Sequence, residues 1–306
     1  MTTVGVIGLG KMGLPIAQNL MERGFAVVGY RRSGTGELAA VGGTGARSSA
    51  EVASMSDVLL SILPDVAALR EVLLGPDGTL TKLRPGTVHV EMSTLDVEEK
   101  LALRDRVRSA GGDLLDCPVS GTPAMVRPRA ATTFVSGDEA SVDAVRQVLD
   151  AISGPWVYTG AFGTAARLKY VANLLVAVHT VATAEAMLLA RRSGLDLELV
   201  QRTLDDSIAS SAIWQRRGPL VRQRRWTPAP GPIETLHHIL EQIEDQAEAV
   251  VTELPLFAVA KQLFDKALAD GWGDLDIAAV HDVLSGQDPA TSTTMLKAPA
   301  EPGSAS

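Results

Sequence analysis

The 306-residue sequence predicts an α/β domain followed by an all-α domain. As far as about residue 160, short runs rich in β-branched residues alternate with stretches of helical apolar periodicity, which is typical of a parallel sheet with crossover helices. From Ala165 to about Leu284, apolar residues recur every three or four positions and no further strand is indicated. We therefore expect domains at residues 1–163 and 164–286. The segment 287–306 is rich in proline and small residues, so we expect a disordered tail.

Glycine and proline turns separate the predicted strands. The strands are expected at Thr3–Ile7, Ala26–Tyr30, Val58–Ile62, Thr87–Glu91, Asp113–Asp116, Thr132–Ser136 and Trp156–Thr159. Among the helices predicted between them are Leu14–Arg23 and Asp96–Ala110. In the second half, Arg217–Gly231 is interpreted as a basic, proline-containing connection, and Leu254-Pro255-Leu256 begins a helix that reaches Ala269.

Composition and charge restrict the class of function. The net charge is -8, and no basic run could neutralise many phosphates, so we expect no nucleic-acid partner. The single cysteine, Cys117, cannot form an intramolecular disulfide. The histidines show no metal-ligand spacing, so no metal is predicted; they are His89, His179, His237, His238 and His281. Small polar metabolites remain compatible with this composition.

No targeting segment is evident in the sequence. The N-terminus lacks the basic residues of a secretion signal and runs directly into the first predicted strand. The longest apolar stretch, Val171–Ala190, contains Asn173, His179 and Glu185, which a lipid-facing helix tolerates poorly. We therefore interpret it as a buried helix of a soluble protein and expect a cytoplasmic location without membrane association.

A glycine motif follows the first predicted strand and opens the next helix. It reads Gly8-Leu9-Gly10-Lys11-Met12-Gly13. Such glycines permit a tight turn, close approach of the backbone to a pyrophosphate and close helix–strand packing, with the helix N-terminus directed at the phosphates. In this strand–turn–helix context the motif predicts a dinucleotide site. The alternative is a glycine-rich turn without a ligand.

The end of the second strand distinguishes the two nicotinamide cofactors. An acidic residue there would bind the free ribose 2′-hydroxyl of NAD(H). Instead the strand leads into Arg31-Arg32-Ser33, two guanidinium groups and a hydroxyl that suit a 2′-phosphate. We predict NADP(H) in preference to NAD(H). The alternative is a pair of solvated surface arginines.

Two further segments carry candidate chemistry. Lys169 and Asn173 are four residues apart at the start of the first helix of the second half, so both project from one face and can contact one substrate. A lysine with a pKa near neutrality can donate a proton to a carbonyl oxygen and take it back in the reverse reaction. The alternative is an ordinary polar pair. The backbone of Ser120-Gly121-Thr122 is either a nest for a carboxylate or a simple turn.

Together these motifs resemble the β-hydroxyacid dehydrogenase family, which includes 3-hydroxyisobutyrate, tartronate semialdehyde and threonate dehydrogenases and is related to imine reductases. The resemblance covers residues 1 to about 286. Besides the glycine motif, it depends on Glu91-Met92-Ser93-Thr94, Asp116-Cys117-Pro118-Val119-Ser120-Gly121, Gly160–Asn173 and Gly271-Trp272-Gly273-Asp274-Leu275-Asp276. It implies a Rossmann-like domain, an all-α domain with a long interdomain helix, and a homodimer or dimer of dimers.

The resemblance also implies roles for individual residues. Lys169 would be the general acid and base, and Asn173 would orient the substrate. The substrate carboxylate would be bound by Ser120, Gly121 and Thr122. The cofactor would be contacted by Gly8, Leu9, Gly10, Lys11, Met12, Gly13, Arg31, Arg32, Ser33, Leu63, Pro64, Ser93 and Thr94. Trp214, in a segment of the second domain, is expected to shape the substrate pocket.

The predicted function is an NADP-dependent hydride transfer between nicotinamide and a small β-hydroxyacid or semialdehyde acid. Three features depart from the family pattern: Thr122-Pro123 replaces a second glycine, Arg127 and Arg129 follow the substrate loop, and His238-Ile239 replaces a Lys-Asp pair. We expect the two arginines to face solvent; the alternative is that they bind a second anionic group of the substrate. The alternatives are an NADPH-dependent imine reductase and a cofactor-binding protein without catalysis. Retention of Lys169 favours a carbonyl or alcohol substrate.

Overall fold

The computed structural model describes residues 1–289, and the chain forms two compact units. The first unit is Met1–Val171 and the second begins at Ala172, so the division falls within one helix, Thr164–Arg192. Most of the segment predicted to be a disordered tail, 290–306, lies outside the described residues.

The first unit is built on a nine-stranded sheet. Its strands are β1 Thr3–Ile7, β2 Ala26–Tyr30, β3 Thr44–Gly45, β4 Val58–Ser61, β5 Val88–Glu91, β6 Asp113–Asp116, β7 Val119–Ser120, β8 Thr132–Ser136 and β9 Trp156–Gly160. The strand order is β3-β2-β1-β4-β5-β6-β8-β7, and β9 pairs with β8. Every predicted strand is present within one residue at each end.

The sheet is parallel from β3 to β6, as predicted, but it is not parallel throughout. Strand β8 runs antiparallel to both β6 and β7. Strands β6 and β7 therefore run in the same direction, and the chain reverses between β7 and β8, in the segment 121–131. The two-residue strands β3 and β7 were not predicted because runs this short carry no periodicity.

Helices cover both faces of the sheet in the first unit. They are α1 Gly13–Glu22, α2 Gly36–Ala40, α3 Ser49–Met55, α4 Val66–Leu74, α5 Val97–Ser109, α6 Pro123–Val126, α7 Glu139–Ala144 and α8 Arg146–Ile152. Val6 of β1 packs in one apolar cluster with residues of α1 and α8, whereas Leu59 of β4 packs in another with Val52 of α3. The central strands are therefore buried on both faces, as expected for parallel strands.

The strand order places a crevice at the carboxyl end of β1. This strand pairs with β2 on one side and with β4 on the other. The connections that leave β1 and β4 therefore turn to opposite sides, and ligands of open α/β sheets bind at such a switch point. The glycine motif follows β1 and the Leu63-Pro64 segment follows β4, so both lie at this crevice.

The second unit is helical, as predicted. Its elements are α9 Thr164–Arg192, which begins in the first unit, then α10 Leu197–Asp205, α11 Ala212–Gln223, α12 Ile233–Ala249, α13 Pro255–Ala269 and α14 Val280–Ser285. Among residues 172–289, β pairing is limited to one isolated bridge between Pro232 and Asp276. The start and end predicted for the helix at Pro255 are confirmed.

The prediction of an irregular connection from Arg217 is wrong in its first part. Helix α11 continues to Gln223 with Pro219 inside it, although proline removes a backbone hydrogen bond from a helix interior. The helix persists because Trp214, Leu220 and Val221 are buried along it. Packing of an apolar face thus outweighs local propensity here.

Helix α9 is only partly buried in the single chain. It has 29 residues and is long and apolar enough to cross a membrane by length and composition, a test that the core helix of a soluble protein also passes. Ala177, Ala184 and Met187 are buried. On another face, the side chains of Leu175 and Leu189 are 47% and 69% exposed.

Candidate active site

The glycine motif has the local geometry of a phosphate-binding turn. Gly8 has a φ of +97°, and a Cβ atom there would lie 2.1 Å from the carbonyl oxygen of Ile62. A Cβ atom on Gly13 would lie 1.9 Å from the carbonyl oxygen of Gly8. At Gly10, by contrast, none of the described atoms lies within 4 Å of the Cβ position. Two glycines therefore permit the turn, and the third leaves an open backbone face for a pyrophosphate.

A cavity of about 520 Å³ opens at the switch point beside this turn. The predicted cofactor residues that line it are Gly8, Leu9, Gly10, Arg31, Arg32, Ser33, Leu63 and Pro64. Arg47 and Ser48 also line it, although neither was predicted from the sequence. The cavity is not lined by the other predicted cofactor residues, which are Lys11, Met12, Gly13, Ser93 and Thr94. Arg47 follows β3, a strand too short to be recognised from sequence.

A second cavity of about 550 Å³ lies at the amino ends of β1, β2 and β4, and Met1, Phe25 and Met55 are among the residues that line it. Among the described residues, no charged side chain lines it. A nucleotide needs phosphate-binding groups, so the chemistry of the first cavity is the one that suits a cofactor.

Arg31 is held within the cofactor cavity by backbone oxygens. Its Nη1 donates to the carbonyl oxygen of Leu9 at 2.9 Å, and its Nε donates to that of Gly34 at 3.3 Å. Glu37 forms an ion pair with it at 3.3 Å. Arg31 therefore joins the end of β2 to the glycine turn, while Arg32 and Ser33 are exposed.

Ser93 connects the segments that follow β4 and β5. Its Oγ accepts a hydrogen bond from the backbone N–H of Leu63 at 2.8 Å. Its own N–H donates to Glu91 Oε1 at 2.9 Å, and its carbonyl oxygen accepts from Lys100 Nζ at 2.9 Å. Two segments assigned to the cofactor by resemblance are thereby fixed to each other.

Lys100 is the centre of a fully buried ion cluster. Its Nζ pairs with Glu91 and with Asp116 Oδ1, the latter at 2.6 Å. Burial raises the pKa of Glu91, although Lys100 opposes that shift. Burial would lower the pKa of Lys100, but Asp116 and Glu91 hold it above its ordinary value, so the ammonium stays charged. Lys100 was not predicted as a site residue, because a lysine in a highly charged helix is typically solvated.

Asp116 extends this cluster to the start of helix α9. Its Oδ2 accepts from Ser136 Oγ at 3.1 Å and from the backbone N–H of Ala166 at 2.9 Å. Ser136 Oγ in turn accepts from the N–H of Gly163 at 3.1 Å. The first turn of α9 is therefore anchored to the sheet by charge-assisted and neutral hydrogen bonds.

Lys169 lies one helical turn beyond this anchor. It is 7% exposed, and burial lowers the pKa of its ammonium to about 8. At neutral pH the group is mostly protonated, and it exchanges its proton within the physiological range. These are the properties of a general acid and base.

Asn173 and Trp214 present buried donors in the second unit. Asn173, one turn after Lys169 on α9, has no hydrogen-bond partner for its Nδ2 among residues 1–289. Trp214 on α11 has none for its Nε1 within the same range. Because buried donors are rarely left without a partner, both groups are suited to bind a polar ligand or water.

The predicted substrate loop forms a strand end followed by a short helix. Ser120 ends β7, and Thr122 precedes α6. A Cβ atom on Gly121 would lie 2.8 Å from Cβ of Ala131, so this glycine permits close packing. Pro123 occupies the first helical position, where the loss of its N–H costs nothing. The departure from the family pattern at Thr122-Pro123 therefore begins a helix.

The two arginines that follow this loop are engaged elsewhere in the first unit. Arg127 Nη1 donates to Asn19 Oδ1 at 2.5 Å, and its guanidinium pairs with Glu22. Arg129 Nη1 donates to the carbonyl oxygen of Asp150 at 3.1 Å. They fasten the loop to α1 and to the end of α8, which does not favour a second anion site.

Three other residues from the sequence motifs and the histidine set lie in the protein interior, namely Asp276, Cys117 and His89. Asp276, in the C-terminal motif, accepts from the N–H groups of Gly231 and Ala278 and pairs with Arg217 at 3.0 Å. Burial raises the pKa of the Cys117 thiol, which makes it unreactive. Burial lowers the pKa of His89 to about 3. In residues 1–289, no cluster of metal-ligating side chains occurs.

Comparison with known proteins places both halves of the chain. Residues 3–160 match the family model for the NAD binding domain of 6-phosphogluconate dehydrogenase, and residues 163–284 match that for the NAD-binding region of NADP-dependent 3-hydroxyisobutyrate dehydrogenase. L-threonate dehydrogenase from Cupriavidus necator is 32% identical, over 92% of this chain and 96% of that protein. Both models belong to dehydrogenases, as does this relative.

Solved structures agree with these matches. The crystal structure of 3-hydroxyisobutyrate dehydrogenase from Salmonella typhimurium has a TM-score of 0.84 at 28% identity, covering 92% of this chain and all of that one. An imine reductase from Myxococcus stipitatus in complex with NADP+ has a TM-score of 0.61 at 20% identity, covering 92% and 99% of the two chains. The second likeness is one of fold alone.

Proposed function

The chain belongs to the β-hydroxyacid dehydrogenase family, and we propose that it is an NADP-dependent oxidoreductase acting on a small hydroxy acid or the corresponding semialdehyde acid. The observation that carries the proposal is Lys169, a buried lysine with a pKa of about 8 on a helix whose first turn is anchored to the sheet. The proposed chemistry needs a proton donor of this kind beside the reacting oxygen.

The nicotinamide cofactor fits the cavity of the first unit. The open face at Gly10 would receive the pyrophosphate, and Leu63 and Pro64 would lie along the cofactor. When bound, the cofactor supplies or accepts the hydride. The proposed preference for NADP(H) rests on Arg31-Arg32-Ser33 and on the lack of an acidic residue at the end of β2.

Lys169 would hold and move the proton. In reduction its ammonium would protonate the carbonyl oxygen, and in oxidation its neutral amine would accept the hydroxyl proton. The unpartnered amide of Asn173 would donate to the same oxygen and orient the substrate. Ser120, Gly121 and Thr122 would bind the carboxylate, and the unpartnered indole N–H of Trp214 would bind a further polar group. The names of the relatives, a threonate and a hydroxyisobutyrate dehydrogenase, support a hydroxy acid.

We also propose a homodimer, or a dimer of dimers, formed through α9. The side chains of Leu175, Ala182 and Leu189 are exposed at seven-residue spacing, which places them along one stripe of the helix. Sedimentation of the wild-type protein and of a Leu175→Asp and Leu189→Asp double variant tests this proposal. A wild-type monomer would contradict it.

The activity is tested by initial rates with NADPH and with NADH across a panel of short semialdehyde and keto acids. We expect turnover with NADPH, and the Lys169→Ala variant should lose most of it while retaining NADPH affinity. Unchanged turnover in that variant would contradict the role of Lys169. A cyclic imine belongs in the panel: imine reduction without carbonyl reduction would replace this proposal by the imine reductase alternative.

A further inference from the structure

Strands β2 and β3 end side by side at the cofactor cavity. Gly29 of β2 is paired with Gly45 of β3, and the N–H of Ala46 donates to the carbonyl oxygen of Gly29 at 2.8 Å. Arg31 and Arg47 each lie two residues beyond this glycine pair, so they leave the ends of the two strands side by side. Neighbouring strands are about 4.8 Å apart, so two guanidinium groups leave adjacent points of the sheet edge.

Arg47 lines the same cavity as Arg32 and Ser33. Its side chain is 92% exposed and forms an ion pair with Glu51, four residues further along, with Nε 3.3 Å from Oε2. Exposed pairs of this kind contribute little to stability because solvent screens them. Arg47 can therefore exchange Glu51 for an anion of higher charge at a small cost in free energy.

Arg31 is less available than its neighbour. Two of its nitrogens donate to backbone oxygens of Leu9 and Gly34, and its side chain is only 31% exposed. A guanidinium that leaves these partners would release the connection between β2 and the glycine turn. Arg31 is therefore better placed to support the glycine turn than to bind the 2′-phosphate of the cofactor.

We propose that Arg47, together with Arg32, binds the phosphate on the adenosine 2′ position and sets the selectivity between the two nicotinamide cofactors. This inference rests on the proposed preference for NADP(H) and assigns it to a residue outside the β2 motif. A phosphate dianion offers a guanidinium two charge-assisted hydrogen bonds, so Arg47 exchanges Glu51 for the phosphate when the cofactor enters.

In this exchange the carboxylate of Glu51 competes with the 2′-phosphate for Arg47. Its carboxylate accepts from both the backbone N–H and the side chain of Arg47. A glutamine at this position retains an acceptor for the backbone N–H but removes the charge that competes with phosphate. Glu51→Gln is therefore expected to bind a 2′-phosphorylated nucleotide more tightly than the wild type.

The test measures dissociation constants for NADPH, NADH, 2′,5′-ADP and 5′-AMP. For Arg47→Ala we expect affinity for NADPH and 2′,5′-ADP to fall about tenfold, with NADH and 5′-AMP unchanged. For Glu51→Gln we expect the affinity for the two 2′-phosphorylated nucleotides to rise about twofold to threefold. The matched control is Arg146→Ala, which removes an exposed arginine paired locally with Asp143, away from the cavity.

The outcomes separate this inference from the proposal on which it rests. A wild-type protein that binds NADH as tightly as NADPH overturns the cofactor preference and this inference together. A wild-type protein that prefers NADPH, with an unchanged preference in Arg47→Ala, overturns the role of Arg47 alone. Equal weakening of NADPH and NADH in Arg47→Ala would show a general effect on the cavity and would also overturn it.

Discussion

Lys100 and Lys169 lie in the same unit and are both removed from solvent, yet their pKa values shift in opposite directions. Lys100 has two carboxylates within ion-pair distance, and they hold its pKa above the ordinary value despite burial. Burial alone lowers the pKa of Lys169 to about 8. The comparison shows that partners, rather than depth, decide whether a buried lysine is a fixed charge or an exchangeable proton donor.

The two lysines are also connected through the carboxylate of Asp116. Lys100 pairs with Asp116, and Asp116 accepts from the N–H of Ala166, three residues before Lys169. A permanently charged lysine thus helps to fix the helix that carries the titrating one. We expect changes at Lys100 to act mainly on stability and changes at Lys169 mainly on proton transfer.

The largest expected effect is that of Lys100→Met. This change leaves the carboxyl groups of Glu91 and Asp116 buried without a cation, which destabilises proteins by about 3–5 kcal/mol. Urea unfolding at neutral pH measures the loss. The triple variant Lys100→Met, Glu91→Gln, Asp116→Asn should recover much of it, since no unpaired charge remains. A wild-type midpoint in the single variant would contradict the buried cluster.

Lys169→Met is expected to have the opposite sign. The folded-state pKa of about 8 lies below the ordinary lysine value of 10.5, so the folded state binds fewer protons between these values. The destabilisation is complete below about pH 8 and disappears as the pH rises to 10.5. Removing the ammonium should therefore stabilise the protein at pH 7 by up to about 3 kcal/mol, while abolishing most turnover. Equal stability of the two proteins at pH 7 would contradict the shift.

The same pKa predicts how the reaction rates depend on pH. Reduction needs the ammonium form of Lys169, so its rate should fall about tenfold per pH unit above about 8. Oxidation needs the neutral amine, and its rate should rise toward a plateau above the same pH. Initial rates in both directions from pH 6 to 10 measure these profiles. Two flat profiles would show that another group transfers the proton.

The parts of the molecule that sequence predicts well are those with local patterns. The strands carry β-branched runs, and the glycine motif has a local steric cause at Gly8 and Gly13. Arg47 and Lys100 were missed for a different reason. The position of Arg47 depends on the pairing of β2 with the two-residue strand β3. The burial of Lys100 depends on carboxylates nine and sixteen residues away in sequence. Such placement follows from tertiary packing, and no periodicity records it.

The smallest predicted effect tests the connection between the two lysines. Ser136→Ala removes one hydrogen bond to Asp116 Oδ2 and one from the N–H of Gly163, which should reduce stability by about 1 kcal/mol. If the anchor positions Lys169, kcat should fall severalfold while the Kd for NADPH stays constant.

The matched control is Ser153→Ala, because Ser153 is also a buried serine whose Oγ donates to backbone oxygens, those of Ala131 and Pro155. A similar loss of stability with an unchanged kcat is expected there. Equal losses of kcat in both variants would mean that general loosening of the unit, rather than the anchor on α9, governs the lysine. Because both serines are buried, the difference between the variants isolates the contribution of the Ser136 hydrogen bonds to the position of Lys169.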